Sequence, residues 1–131
     1  EHVKWFNKKL YDPNCFIFIA ESVNDAPIGQ VRFDINGEQA EISLSVDKRW
    51  RGLGYGALLI KCGAEEMFRS TTIKSIHAFI KPDNIGSIRS FEKARFKYVG
   101  LDNIKGYKAK HYVLVRNDGF NKSHSFGYET E

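Results

Sequence analysis

The stretch Arg49-Trp50-Arg51-Gly52-Leu53-Gly54-Tyr55-Gly56-Ala57 joins two segments of different hydrophobic period. Before it, Ile42, Leu44 and Val46 alternate with Glu41, Ser43 and Ser45, the pattern of a half-buried strand. After it, from Gly54 to about Arg69, Leu58, Leu59, Cys62 and Met67 recur at spacings that form a buried helical stripe. The stretch is therefore a strand-to-helix loop. Its glycines at 52, 54 and 56 carry no Cβ, so backbone can approach a ligand and adopt conformations other residues avoid. Unpaired amides at the helix start, together with the positive end of the helix dipole, favour an anion. Arg49 and Arg51 add charge-assisted hydrogen bonds for phosphate oxygens. The whole run from Arg49 to Ala57, Leu53 and Tyr55 included, is expected to hold a diphosphate.

Two other phosphate loops do not fit. The P-loop requires Gly-Lys-Ser/Thr, which is absent here. Gly52, Gly54 and Ala57 match the spacing of the dinucleotide fingerprint, but that loop follows the first strand of a parallel βαβ unit and has an acidic residue about 20 positions later. Here the loop follows a hairpin strand, and the stretch from Ser70 to Asp83 has no acid before Asp83 itself.

Outward from the loop, Asn36-Gly37 signals a hairpin. Ile28 to Ile35 and Phe16 to Ala20 read as strands before it, separated by the turn Asn24 to Pro27. Residues 2–10, with His2, Trp5, Phe6 and Leu10, have helical spacing that Asp12-Pro13-Asn14 ends. Downstream come a strand from Ile73 to Ile80 and a helix over about 85–94 with Ile85, Ile88 and Phe91 on one face. Strands from Phe96 to Leu101 and Lys108 to Val115 follow. The order helix, three strands, helix, strand, helix, two strands is that of an α+β fold with a mixed central sheet flanked by helices. The 131 residues make one domain, 1–131, with a core over about 16–115 and a polar tail over 117–131.

Hydrophobic residues make up 42% and charged residues 27%, as in an ordinary globular domain, and no apolar run approaches the ~20 residues that span a bilayer. The net charge of +4 suits an anionic ligand. The arginines cluster with glycines at a helix start, and the strands lack the aromatic pattern of an RNA-binding sheet, so no specific nucleic-acid partner is expected. Cys15 and Cys62 form neither a metal set nor a disulfide framework; a reducing cytoplasm and no metal are the expectation.

Arg49-x-x-Gly52-x-Gly54 resembles the Q/R-x-x-G-x-G/A signature of the GNAT N-acetyltransferase superfamily. Leu44-Ser45-Val46-Asp47 resembles that family's pantetheine-contacting strand. Asn84-x-x-Ser87-Ile88-x-x-Phe91-Glu92-Lys93-Ala94-Arg95-Phe96 resembles its second motif, N-x-x-A/S-x-x-x-Y-E-K-x-G-F. The likeness covers about residues 16–115 and implies a GNAT-like sheet whose first strand is missing before Glu1. It also implies acetyl-CoA as donor, with the backbone of Leu44 to Val46 pairing with the pantetheine arm and Asn84 contacting the cofactor. Glu1-His2-x-x-Trp5-Phe6, Pro13-Asn14 and Ile28 to Phe33 are similar to a narrower group, the bacterial amino-sugar acetyltransferases on the route to pseudaminic acid and related nonulosonic acids. That likeness implies a 4-amino nucleotide sugar as acceptor. The tail Arg116-Asn117-Asp118, Ser125-Phe126 and Glu129-x-Glu131 resembles what that group carries just upstream of its Glu-His-x-x-Trp segment. The two chain ends are therefore expected to lie close together, or the tail to serve a neighbouring copy. Two departures stand out: Phe91 replaces a tyrosine that protonates the leaving thiolate, and Arg95 replaces a glycine.

Acetyl transfer needs a neutral amine, a stabilised oxyanion and a leaving thiolate. Glu41 is the first candidate for general base and His77 the second. For the acid, Phe91 cannot donate, the side chain of the adjacent Ser90 is expected to point elsewhere on the helix, and Tyr98 and Tyr107 are possible donors that nothing in the sequence places. His2, Trp5, Phe6 and Arg32 are candidates for binding the small-molecule amine. A non-catalytic acyl-CoA-binding or regulatory domain is the alternative. Edge strands of such a sheet offer pairing between copies as a homodimer.

Overall fold

The computed structural model describes residues 3–8, 12–117 and 129–130. The strands are β1 (Val3–Lys8), β2 (Cys15–Ser22), β3 (Pro27–Asn36), β4 (Gln39–Val46), β5 (Ser75–Ile80), β6 (Lys97–Ile104), β7 (Tyr107–Val115) and β8 (Glu129–Thr130). The helices are α1 (Tyr55–Ser70) and α2 (Ile85–Lys93), with a 3-10 turn at Lys48–Trp50. All strands share one sheet in the order β6-β7-β5-β4-β3-β2-β1-β8. Neighbours pair antiparallel except β4 with β5 and β1 with β8.

Both helices lie on one face. Val31, Phe33 and Ile42 pack there with Leu59, Ile60, Ala64 and Met67 of α1, and Ile76 and Ala78 carry the same face onto β5. Gly63 permits the contact: a Cβ there would stand 2.8 Å from Val31 Cγ2 and 3.0 Å from the Phe33 ring. α2 closes the layer with Ile88 and Phe91, and Tyr112 on β7 donates its hydroxyl to Glu92 at 3.2 Å. The other face carries Arg32, Asp34, Glu41, Ser43, His77 and His111.

Three local expectations are corrected. Residues 3–8 form a strand, not part of a helix. Trp5 and Phe6 point to opposite faces there, opposite Ala20 and Ile19, and this pairing with β2 overrides the weak helical spacing. In the hairpin, Asn36 is still in β3, paired with Gln39, and Gly37 alone has positive φ at 65°. A single left-handed residue at the first loop position suits a primed turn that needs only one glycine. Leu58 is 40% exposed, because the buried stripe of α1 runs through Leu59, Ile60, Cys62, Gly63, Ala64, Met67 and Phe68. Ile85, at the start of α2, is also exposed. The pairing of Phe6 with Glu129 makes the described ends of the chain sheet neighbours, as the likeness of the tail leads one to expect.

Candidate active site

β4 and β5 pair only through Gln39–Ser75, Ala40–Ile76 and Glu41–His77. Beyond Glu41, β4 runs on to Val46 and β5 to Ile80 without pairing with each other, so the sheet splits into a V. A cleft of about 470 Å³ opens there. Its wall combines Leu44, Ser45 and Val46 with Trp50, Arg51, Gly52, Gly54, Gly56 and Ala57 from the loop and α1. Asn84, Gly86, Ser87, Arg89, Ser90 and Lys93 complete it from α2.

The loop is held by its own side chains. Asp47 accepts from the Arg49 amide at 3.0 Å and from Arg49 Nε at 3.3 Å; the backbone bond, then the guanidinium, holds its carboxyl below the usual carboxylate range. Arg51 Nε donates to the Val46 carbonyl at 3.0 Å. Gly52 and Gly54 have φ of 76° and 89°, the left-handed region where a Cβ is costly. Gly54 is the N-cap of α1 and supplies no side-chain acceptor, so the first-turn amides stay available to an anion. α1 and α2 meet closely, since a Cβ on Gly56 would lie 2.6 Å from Ser90 Oγ. Asn84 caps α2 by accepting from the Ser87 amide at 3.2 Å.

These residues fit coenzyme A. The uncapped amides of α1 and Arg51 suit a diphosphate, Arg89 and Lys93 add positive charge further along the wall, and the unpaired edge of β4 offers an amide arm backbone partners. Of the residues expected at the cofactor, Leu44, Ser45, Val46, Arg51, Gly52, Gly54, Gly56, Ala57 and Asn84 line the cleft. Arg49 faces Asp47, Leu53 is exposed, and Tyr55 stacks edge-on against Trp50 at 5.2 Å; these three are not on its wall. Sequence reading missed the contribution of α2. Gly86, Arg89, Ser90 and Lys93 recur at helical spacing on the side away from Ile88 and Phe91, and that periodicity could have found them.

Phe91 is not on the cleft wall: it is 3% exposed and edge-on to Phe96 at 5.1 Å. Ser90, expected to point elsewhere, lines the cleft together with Ser45 and Ser87. Tyr98 and Tyr107 are exposed and do not line it. Cys62 is packed in the core, where burial pushes its thiol up to about 11.

At the foot of the V, on the sheet face away from the helices, a second hollow of about 460 Å³ is lined by residues including Asp34, Glu41, His77, Phe79 and His111. The two candidate bases, Glu41 and His77, are register partners there. His77 Nε2 is 2.8 Å from Ser75 Oγ, and its Nδ1 is 2.8 Å from His111 Nε2. Burial, then the neighbouring His111, lowers the His77 pKa. The acceptor candidates are divided. Arg32 is on this face, with Nε 3.0 Å from Asp34 Oδ2 in a two-point pair that raises the arginine and lowers the aspartate. Phe6 is on the same face, in register with Ile19. Trp5 is instead 5% exposed in the core, on the helix side. His2 lies outside the described residues.

Residues 1–96 match the model of the acetyltransferase (GNAT) family. Among solved structures, aminoglycoside acetyltransferase AAC(6')-Ib in complex with coenzyme A is 22% identical, with a TM-score of 0.70 over 79% of this chain and 67% of that one. A spermidine N-acetyltransferase SpeG variant from Vibrio cholerae is 20% identical, with a TM-score of 0.73 over 87% and 72%. A ribosomal-protein-S5-alanine acetyltransferase from Vibrio fischeri is 19% identical, with a TM-score of 0.71 over 82% and 64%. No curated protein matches. Among the described residues no helix is long and apolar enough to cross a membrane. The family match spans well over half of the chain, and with a loop, split sheet and cleft suited to coenzyme A, the chain belongs to the GNAT acetyltransferase family, whose acetyl donor is acetyl-CoA.

Proposed function

We propose that this domain transfers an acetyl group from acetyl-CoA to a primary amine, and that the amine belongs to a nucleotide-linked 4-amino sugar. The observation that carries the transfer is the split between β4 and β5: an unpaired strand edge ends on the uncapped start of α1 on one side and on Glu41 and His77 on the other. The donor, when bound, supplies an acetyl thioester. The chain's own residues do the rest. Arg51 and the amides from Gly52 to Ala57 hold the diphosphate, and an amide of Leu44 to Val46 meets the developing oxyanion. An ammonium must lose a proton to become nucleophilic, and the candidate bases Glu41 and His77 are register partners beside the split. A dedicated acid is dispensable, because a thiolate, with a thiol pKa of roughly 8.5, leaves readily.

The sugar rests on the likeness of Glu1-His2-x-x-Trp5-Phe6, Pro13-Asn14 and Ile28 to Phe33 to the amino-sugar group. The aminoglycoside and spermidine acetyltransferases of the same fold, named for amine acceptors, support the broader amine class. A homodimer would use β6, the edge of the sheet at which Val99 and Leu101 are exposed; a monomer mass by light scattering at high concentration removes that part of the proposal. The reading as a non-catalytic acyl-CoA-binding domain draws on one observation, the absence of a tyrosine from the described cleft wall.

Incubation with acetyl-CoA and a panel of amines, with free thiol followed over time, separates the two. Turnover fastest with a 4-amino nucleotide sugar supports the full proposal. Turnover with polyamines or aminoglycosides alone removes the sugar. Thermal stabilisation by coenzyme A with no turnover of any amine leaves the binding domain.

A further inference from the structure

His77 has no nitrogen to spare for a substrate: Ser75 Oγ occupies Nε2 and His111 occupies Nδ1, each at 2.8 Å. The next ring in the chain does. His111 projects from β7 onto the same face, in register with Phe79 and one step nearer the opening of the V than His77. Its ring stacks on Phe79 with centroids 4.4 Å apart, and it lines the hollow with Glu41 and Asp34. Its Nε2 is committed to His77, while its Nδ1 has no hydrogen-bond partner among the described residues and stands 3.8 Å from Asp102 Oδ2, beyond hydrogen-bond length.

We propose that His111 Nδ1 takes the proton from the incoming ammonium, with His77 and Ser75 as positioning residues that fix its tautomer. The chain of bonds then runs in one direction. His77 donates Nε2–H to Ser75 Oγ, His111 donates Nε2–H to His77 Nδ1, and the lone pair of His111 is left on Nδ1, 3.8 Å from Asp102 Oδ2. The reverse direction would place a proton on His111 Nδ1 with no acceptor within hydrogen-bond distance among the described residues.

The charged and titratable groups on this face are consistent with that role. Glu41 on β4 attracts an ammonium to the hollow, while Asp34 on β3 is paired with Arg32. Asp102 on β6 steadies the His111 imidazolium once formed, and Lys97 on β6 lies beyond Val113. In the step itself the ammonium N–H bond breaks and its proton moves to His111 Nδ1. The freed nitrogen pair bonds the acetyl carbonyl carbon as the carbon–sulfur bond breaks. Sulfur leaves with that electron pair and takes the second nitrogen proton, and His111 returns the first proton to solvent. This inference rests on reading the hollow as the acceptor site.

Two measurements test it independently. The ¹⁵N shifts of the neutral imidazoles report the tautomer without any substrate: His111 is expected as the Nε2–H form, with the preference lost in His77→Gln. A His111 that carries its proton on Nδ1 overturns the proposal. In kinetics, His111→Gln is expected to lower kcat/KM about 10²-fold or more near neutral pH. The loss shrinks as pH rises and the free amine becomes abundant, and the KM for acetyl-CoA stays unchanged. Ser75→Ala gives a smaller loss with the same pH dependence. A His111→Gln enzyme with the wild-type rate and pH profile, beside a Glu41→Gln enzyme that loses both, assigns the proton to Glu41 and overturns the role of His111 while acetyl transfer stands. A wild-type chain that binds coenzyme A and acetylates no amine in the panel overturns both readings.

Discussion

Replacing Arg95 by glycine is expected to stabilise this domain. Arg95 follows the end of α2 with φ of 73°, in the left-handed region. Its amide donates to the Glu92 carbonyl at 3.0 Å, and the next amide, Phe96 N, reaches back to the Phe91 carbonyl at 3.0 Å. Those two bonds define a helix-ending motif whose left-handed position is usually glycine. An L-residue held there costs about 1–2 kcal/mol. Glycine gives back about 0.5–1 kcal/mol through the greater freedom of the unfolded chain. The Arg95 side chain is exposed and, among the described residues, makes no hydrogen bond or ion pair that the substitution would remove. At the middle of both ranges the net gain is about 0.75 kcal/mol, or roughly 2–4 °C in Tm for a chain of this length. Urea unfolding followed by circular dichroism measures it: the midpoint of Arg95→Gly rises with the slope m unchanged. A midpoint that stays or falls at constant m would refute the backbone-strain reasoning, and would mean that the arginine side chain contributes more than its exposure allows.

Gly56→Ala places a methyl 2.6 Å from Ser90 Oγ and 3.2 Å from Ser90 Cβ, so the Ser90 hydroxyl must turn and α1 and α2 must give at the cleft; coenzyme A affinity measured by calorimetry is expected to fall about tenfold, corresponding to about 1.4 kcal/mol. Ser90→Gly on that background restores part of the loss, and no recovery argues against this contact as the cause. Phe91→Tyr buries a hydroxyl beside Phe96 and away from the cleft, so it costs about 1–3 kcal/mol of stability in urea unfolding and leaves kcat unchanged; a gain in kcat would show that the side chain reaches the reacting groups. Stability is also expected to fall with acid through His77. Its folded pKa lies below the ordinary 6.5, so as pH drops through 6.5 the unfolded chain takes up a proton that the folded chain refuses. Above that range the group contributes nothing, and the urea midpoint declines as pH falls below about 7, less steeply in His77→Gln.

The conformation of the loop was legible because its signals are local. Glycines at 52 and 54 answer to positive φ at those positions, and the alternation from Glu41 to Val46 places Glu41 and Ile42 on opposite faces without tertiary knowledge. The spacing of Ile88 and Phe91 likewise marked the buried side of α2. Failures arose where a neighbour decides. Helical spacing in residues 2–10 carried no information about β2, whose edge captures Val3–Lys8 as a strand and sends Trp5 into the core. Arg49 and Arg51 look equivalent in sequence, yet Asp47 draws the first away from the cleft and the Val46 carbonyl keeps the second on its wall. His111 gave no signal at all, since only the pairing of β5 with β7 brings it against His77, 34 residues earlier.

Titration calorimetry of coenzyme A into the wild-type chain at low ionic strength, repeated with Gly54→Val, reaches the centre of the account. The wild type is expected to bind one equivalent. Valine at the left-handed N-cap of α1, where φ is 89°, is expected to weaken binding by at least tenfold, corresponding to about 1.4 kcal/mol. Absence of heat with the wild type, or equal affinity in a folded Gly54→Val variant, would contradict the claim that the amides opening α1 grip the diphosphate.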